Sequence, residues 1–279
     1  MDLTQLLDRA HTLAEEGDWS AAAELLREHL ADFDTEPAMH TWLGVAEREL
    51  GMEGVAYERF KRALELEPTD PYVLATAGSG IAAFDDVDAE RALRTAALTA
   101  PDVALARLMY GAYLAREGLP EDGVRELRAA RELDADDPQI AYELGVGLAL
   151  AGRPDEAADA MADAVRLDPE DGWMRTVFGL LLLEAGREEE AAGELISGAR
   201  IVSDDVDAQL AAALAAAVVG LADIAYEMLE RARLVAVEGD LVLVEDVEDR
   251  IDAGEDAARS MLSDDFAPDM LRSRLRERP

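Results

Sequence analysis

The 279-residue chain has no cysteine, so disulfides, zinc-thiolate centres and cysteine nucleophiles are excluded from the outset. It has a single lysine, Lys61, and its 26 basic residues stand against 62 acidic ones, a net charge of −36. A surface so short of cations has no basic face for phosphate backbones, which argues against nucleic-acid binding. Aromatic residues make up only 5% while half of all residues are apolar, many of them alanine. That composition suits closely packed helices better than a sheet rich in aromatic and β-branched side chains. No run reaches the roughly 18 uninterrupted apolar residues of a membrane span; the longest, near residues 210–221, is short and alanine-rich. The opening segment MDLTQLLDRAHTLAEEGDW carries early acids and lacks the basic-then-apolar order of a secretory leader. We expect a cytoplasmic protein without membrane contact.

The acids are spread among regularly placed apolar residues rather than gathered in a tail, which argues against disorder. Acidic, lysine-poor and arginine-retaining, the chain resembles salt-adapted proteins of halophilic archaea, where molar salt shortens the Debye length to about 3 Å and screens self-repulsion. An acidic protein from a GC-rich mesophile, with Arg replacing Lys, is the other source of such a pattern.

What the chain does have is a period. Gly17, Gly51, Gly118, Gly152, Gly186, Gly220 and Gly254 recur at 34 residues, with one step of 67. Ala22, Ala56, Ala89, Gly123, Ala157, Ala191 and Ala225 form a second ladder, and Ala10, Gly44, Gly78, Gly111, Gly145, Gly179 and Ala213 a third. Within each period, apolar residues fall at helical spacing on both sides of the first-ladder glycine, as in Leu144, Leu148 and Ala151, then Ala157, Met161, Ala164 and Val165. The unit is helix, tight turn, helix. Gly152 suits the end of the first helix, and Pro154 followed by acids suits the start of the second.

This period disposes of a competing motif. Gly78-Ser79-Gly80-Ile81-Ala82-Ala83 fits the G-x-G-x-x-G/A pattern of a dinucleotide-binding turn, but that turn needs a strand before it. Gly78 instead occupies a rung of the third ladder inside a helix. No cofactor is expected. His11, His29 and His40 do not form a convincing metal or catalytic trio, because His29 belongs to a second helix and His40 takes a packing position. The clusters Asp134, Asp136, Asp137 and Asp204, Asp205, Asp207 lack the glycine and terminal glutamate of a calcium loop, and we expect them to cap helices. No catalytic residue is expected.

Leu43, Gly44, Gly51, Ala56, Phe60, Ala63 and Pro68, and again Leu144, Gly145, Gly152, Ala157, Met161, Ala164 and Pro169, follow the pattern of the tetratricopeptide repeat, and the chain resembles that family over residues 3–239. The resemblance implies an all-α fold, a right-handed superhelical α-solenoid with units 3–36, 37–70, 71–103, 104–137, 138–171, 172–205 and 206–239. Residues 240–265 are expected to form degenerate capping helices, and 266–279 a basic tail. Between Gly78 and Ala89 the ladders lose one residue and Phe84-Asp85 stand where a turn glycine would, so a local change of packing is expected in the third unit.

The resemblance further implies a non-catalytic scaffold or adaptor whose concave groove, lined by the first helix of each unit, holds a protein or peptide partner. Carried over by position, the groove would present Leu7, His11, Thr41, Val45, Arg48, Tyr72, Ser79, Leu105, Leu108, Tyr142, Val146, Trp173, Thr176, Leu180, Leu210 and Leu214. Some members grip a C-terminal carboxylate with Lys and Asn at positions that here hold His11, Val45 and Ser79, so that mode is not expected. The apolar face suits an amphipathic segment anchored by Tyr72, Tyr142 and Trp173. The other readings of the charge are an acidic chaperone for basic clients and a regulatory subunit of an enzyme. The tail APDMLRSRLRERP has four arginines against two acids. Met270, Leu271 and Leu275 would set an apolar edge beside Arg272 and Arg274, able to dock on the chain itself, on another copy in self-association, or on an acidic partner.

Overall fold

The computed structural model describes residues 1–276, and every regular element among them is a helix. The chain divides into two compact units at the turn between Glu117 and Gly118. The first contains α1 (Leu3–Glu15), α2 (Trp19–His29), α3 (Pro37–Glu49), α4 (Glu53–Glu65), α5 (Pro71–Ala82), α6 (Ala89–Thr99) and α7 (Ala104–Arg116). Successive helices pack as antiparallel neighbours, and each first helix also meets the next one along: α1 with α3, α3 with α5, α5 with α7.

Close approach depends on small residues. A Cβ at Gly44 in α3 would lie 2.7 Å from Phe60 of α4, and one at Gly78 in α5 would lie 3.0 Å from Leu93 of α6. Gly80 has a different contact: a Cβ there would come within 2.2 Å of Phe60, so that one ring is wedged between two glycines on different helices. Both glycines of the apparent nucleotide motif are therefore points of helix contact. The third helix pair also departs from the others. With Ala75, Ala77, Gly78, Gly80 and Ala82 buried along it, α5 lies against α7 more extensively than α3 lies against α5.

The turn of this pair has its own polar lock. Asp85 takes the left-handed conformation, φ 54°, that glycine supplies at Gly17 and Gly51. Asp86 then accepts hydrogen bonds from the Tyr57 hydroxyl at 2.8 Å and from the Asp88 backbone N–H at 2.9 Å, and pairs with Lys61 at 2.9 Å. The only lysine of the chain thus ties α4 to the irregular turn. A second such lock holds Glu47, buried in α3, between Arg27 of α2 and Arg59 of α4.

The second unit contains α8 (Pro120–Leu133), α9 (Pro138–Leu150), α10 (Pro154–Leu167), α11 (Gly172–Glu184), α12 (Glu188–Ile201), α13 (Val206–Val218), α14 (Ala222–Val235), α15 (Leu241–Asp252), α16 (Glu255–Ser260) and α17 (Ala267–Arg276). The capping role expected for the aspartates is visible: Asp137 accepts from the N–H groups of Gln139 and Ile140, Asp171 from Met174, and Asp205 from Ala208. Residues 208–216 of α13 are all buried; eight of the nine are apolar, and Gln209 donates to the Ala199 carbonyl of α12. The cover of α13 comes from α12, α14 and, on the remaining side, α16.

The expected boundary between cap and tail at residue 266 lies inside continuous helix. Residues 261–266 form a π-helical turn that joins α16 directly to α17. The buried positions explain it. Ala258, Met261 and Leu262 follow ordinary helical spacing, Ala267 comes five residues after Leu262, and Leu271 and Leu275 follow at steps of four. The extra residue in the i to i+5 turn keeps a single apolar stripe facing inward.

Two outcomes follow. Gly80→Ala forces Phe60 out of its slot and lowers stability by about 1–3 kcal/mol, the usual cost of overpacking, read from chemical denaturation. Asp86 is held down at about 2 by the Asp88 N–H, Lys61 and Tyr57, against an ordinary 3.8. A depressed carboxyl contributes fully above its unfolded value, so the stability gap between the native chain and Asp86→Asn closes as pH falls from about 4 towards 2. A gap unchanged over that range contradicts the assignment.

Candidate functional site

The expected groove residues divide into two groups. In the first unit, Tyr72 at the start of α5 is 57% exposed and His11 on α1 is exposed, its ring edge-on to Trp42 at 5.5 Å. Leu7, Val45 and Leu105 are half-buried because they pack against neighbouring cores. Arg48 and Ser79 are also half-buried, whereas Leu108 and Thr41 are buried, the threonine donating back to the Pro37 carbonyl at 3.0 Å. Ser79 lines a cavity of about 10 Å³, room for one water, with Leu93, Met109 and Ala112.

In the second unit, Tyr142, Val146, Thr176, Leu180, Leu210 and Leu214 are all buried. The hydroxyl of Thr176 donates to the Gly172 carbonyl in its own helix at 2.8 Å. Of the expected groove residues here, only Trp173 keeps partial exposure. On α11 and α13 the chain supplies its own cover, because α16 and the π turn lie on α13 while α17 lies on α11.

The tail residues make the contact. Ala267, Met270, Leu271 and Leu275 are buried, whereas Arg272 on the outer side is 65% exposed and pairs with the neighbouring Asp269. Arg274 lies between the two faces and makes two contacts. Its guanidinium stacks on Trp173 at 3.8 Å from the ring centroid and pairs with Asp205. The geometry uses Asp205 twice: one carboxylate oxygen caps α13 through the Ala208 N–H, and the other receives the arginine. Trp173 in turn donates from Nε1 to the Tyr142 hydroxyl at 3.1 Å. Tyr142 of α9, Trp173 of α11, Arg274 of α17 and the cap of α13 form one continuous polar and aromatic chain. At the other end, Arg259 of α16 pairs with Glu188 at the start of α12 and with Glu255.

Asp207, the next acid along, has its carboxyl pushed up by desolvation and by neighbouring Asp205, with Arg274 opposing the shift. The charge of Arg274 therefore lands where two carboxylates crowd each other. Repeat position singled out Trp173, and the pattern of the tail Arg274, separately; their pairing, and the part played by Asp205 and Arg259, required the fold. The five-residue step from Leu262 to Ala267 was one available signal.

The sequence matches the tetratricopeptide repeat family over residues 7–71, 113–172 and 151–206, more than half of the chain. The chain is a tetratricopeptide repeat protein. No curated protein sequence matches it significantly. Among solved structures, this repeat protein is similar to the APC/C hetero-tetramer Cut9–Hcn1, with a TM-score of 0.70 and 17% identity over 87% of this chain and 48% of that one. It therefore spans about half the length of that relative. It is also similar to a thermophilic repeat protein of Thermus thermophilus, with a TM-score of 0.56 and 22% identity over 64% of this chain and 98% of that one. Pseudomonas aeruginosa pilF gives a TM-score of 0.59 at 17% identity over 71% of this chain and 91% of that one. At these identities the likeness concerns the fold. Among the described residues no helix is long and apolar enough to cross a membrane.

The contact between Arg274 and Trp173 has a direct optical signature. With Trp19 and Trp42 replaced by Phe, Trp173 is the only tryptophan left of three. In that background Arg274→Ala shifts Trp173 emission to longer wavelength and costs about 0.5–2 kcal/mol of stability, the range for a cation over an aromatic face. Unchanged emission places the arginine elsewhere.

Proposed function

We propose that this repeat protein is a non-catalytic scaffold that holds a helical segment of a protein partner along the inner faces of its first helices. Members of the family generally mediate interactions between proteins, which supports this reading. The observation that carries it is α17: an amphipathic helix with four buried apolar side chains and one largely covered arginine already lies on α11 beside Trp173. The face of α11 is thus chemically suited to a helix; in the first unit, His11, Val45 and Ser79 offer no lysine for an extended carboxyl terminus. In the first unit, exposed Tyr72 and His11 are the corresponding candidates for contact.

The net charge of −36 favours a second reading, an acidic chaperone for basic clients. Salt separates the two. Burial of apolar surface, at about 25 cal/mol per Å², survives molar salt, whereas attraction between exposed charges is screened within a few Å. We also read the acidic, lysine-poor surface as salt-adapted, so that binding is best measured in concentrated KCl.

In affinity capture from cells at about 0.1 M and about 2 M KCl, a groove partner is retained at both concentrations and lost from a Tyr72→Ala, Trp173→Ala chain, with both proteins quantified by mass spectrometry. Capture that disappears at high salt and ignores the substitutions contradicts the groove and selects the charge-based reading.

A further inference from the structure

We infer that the inner face of α11, together with Asp205 at the cap of α13, is a receptor for an arginine-bearing amphipathic helix of another protein, and that α17 occupies the receptor until such a helix displaces it. This rests on the scaffold reading and adds the chemistry of the ligand.

The docked helix displays the required pattern. Ala267, Met270, Leu271, Arg274 and Leu275 fall at i, i+3, i+4, i+7 and i+8, one stripe of a helix. Four of the five are apolar and fill the face; the fifth places a cation against an indole and a capping carboxylate at once. Both of its partners are part of the receptor itself, present before any ligand arrives. Lysine would not substitute, because a compact ammonium cannot both stack flat on a ring and fork toward a carboxylate.

Several features make α17 exchangeable rather than a fixed part of the core. It is ten residues long and buries one stripe, while Asp269 and Arg272 on its other side stand in solvent, 73% and 65% exposed. Ordering ten residues offsets much of what burying four apolar side chains supplies. The helix before it is anchored separately, with α16 on α13 and Arg259 on Glu188. Between the two anchors lies the π turn, where the regular hydrogen-bond ladder changes spacing. Opening at residues 261–266 releases α17 while α16 continues to cover α13. The charge pattern agrees: the segment from Ala267 onward is the arginine-rich stretch of an otherwise strongly acidic chain.

The test uses the full-length protein and a fluorescein-labelled peptide with the sequence of residues 261–276, followed by anisotropy in KCl. A Leu271→Asp, Leu275→Asp chain, with its helix released, is expected to bind the peptide at least about tenfold more tightly than the native chain, which must first open. An Arg274→Ala peptide is expected to bind the released chain about tenfold more weakly, and adding Trp173→Ala to the chain to produce a similar loss. Equal binding by native and released chains overturns the occupancy of the site by α17 but leaves the scaffold reading intact. Absence of binding by a released chain that keeps its helical circular dichroism overturns both. Equal binding of the two peptides overturns recognition of arginine. If the double substitution unfolds the protein, Arg274→Ala in the full chain provides the milder release, with the same ordering of affinities expected. A native chain that light scattering shows to be a dimer, dissociating when residues 267–279 are removed, assigns the receptor to the helix of a second copy instead.

Discussion

Every helix pair in this protein has apolar faces that it cannot cover alone, and the fold depends on bringing backbones close enough to cover them. The repeating glycines of the first helices set that distance. Gly44 receives Phe60, Gly78 receives Leu93, Gly145 receives Met161 and Gly179 receives Leu195, each a bulky side chain of the second helix pressed onto a position with no Cβ. Because packed interiors tolerate little change of volume, the pattern of small against large residues specifies how the helices meet. Where the pattern changes, as at Gly80, the packing changes with it, and the Tyr57, Lys61 and Asp86 lock holds the altered turn.

The same constraint gives the end of the chain its role. The buried flank of α13 must be covered, and the polypeptide does so by folding α16 back upon it. Continuing that helix through a π turn carries its stripe onto α11 and places Arg274 at Trp173 and Asp205. A structural requirement thus brings an arginine, an indole and a capping carboxylate together. Charge has a complementary part: with few cations available, those present are mostly committed to named acids, and an arginine held against an aromatic ring is correspondingly specific.

Much of the architecture was legible in the sequence because the period is carried by glycine and alanine, whose small size has one structural meaning at each rung. The helical class, the paired helices and the irregular third turn all follow from those residues. The capping aspartates were legible for a similar reason, since Asp137 and Asp205 directly precede helices. The site was less so. Positions such as Leu180, Leu210 and Leu214 follow the register of an open groove, yet they are buried, which no repeat register announces. Their cover involves residues far along the chain, and the partnership of Glu188 with Arg259 or Asp205 with Arg274 spans about 70 positions. Long-range pairing leaves no local periodicity; its traces were the apolar edge of Met270, Leu271 and Leu275 beside Arg274 and the displaced step between Leu262 and Ala267.

The central claim is that α17 leaves its site as a unit while the remainder stays folded. Hydrogen exchange of the native full-length chain, resolved by mass spectrometry, measures this directly. Amides of α17 are expected to exchange at least about tenfold faster than those of α13, with α16 following α13, because α17 opens on its own at the π turn. Protection of α17 equal to that of α13 would make it a permanent part of the core and contradict the account.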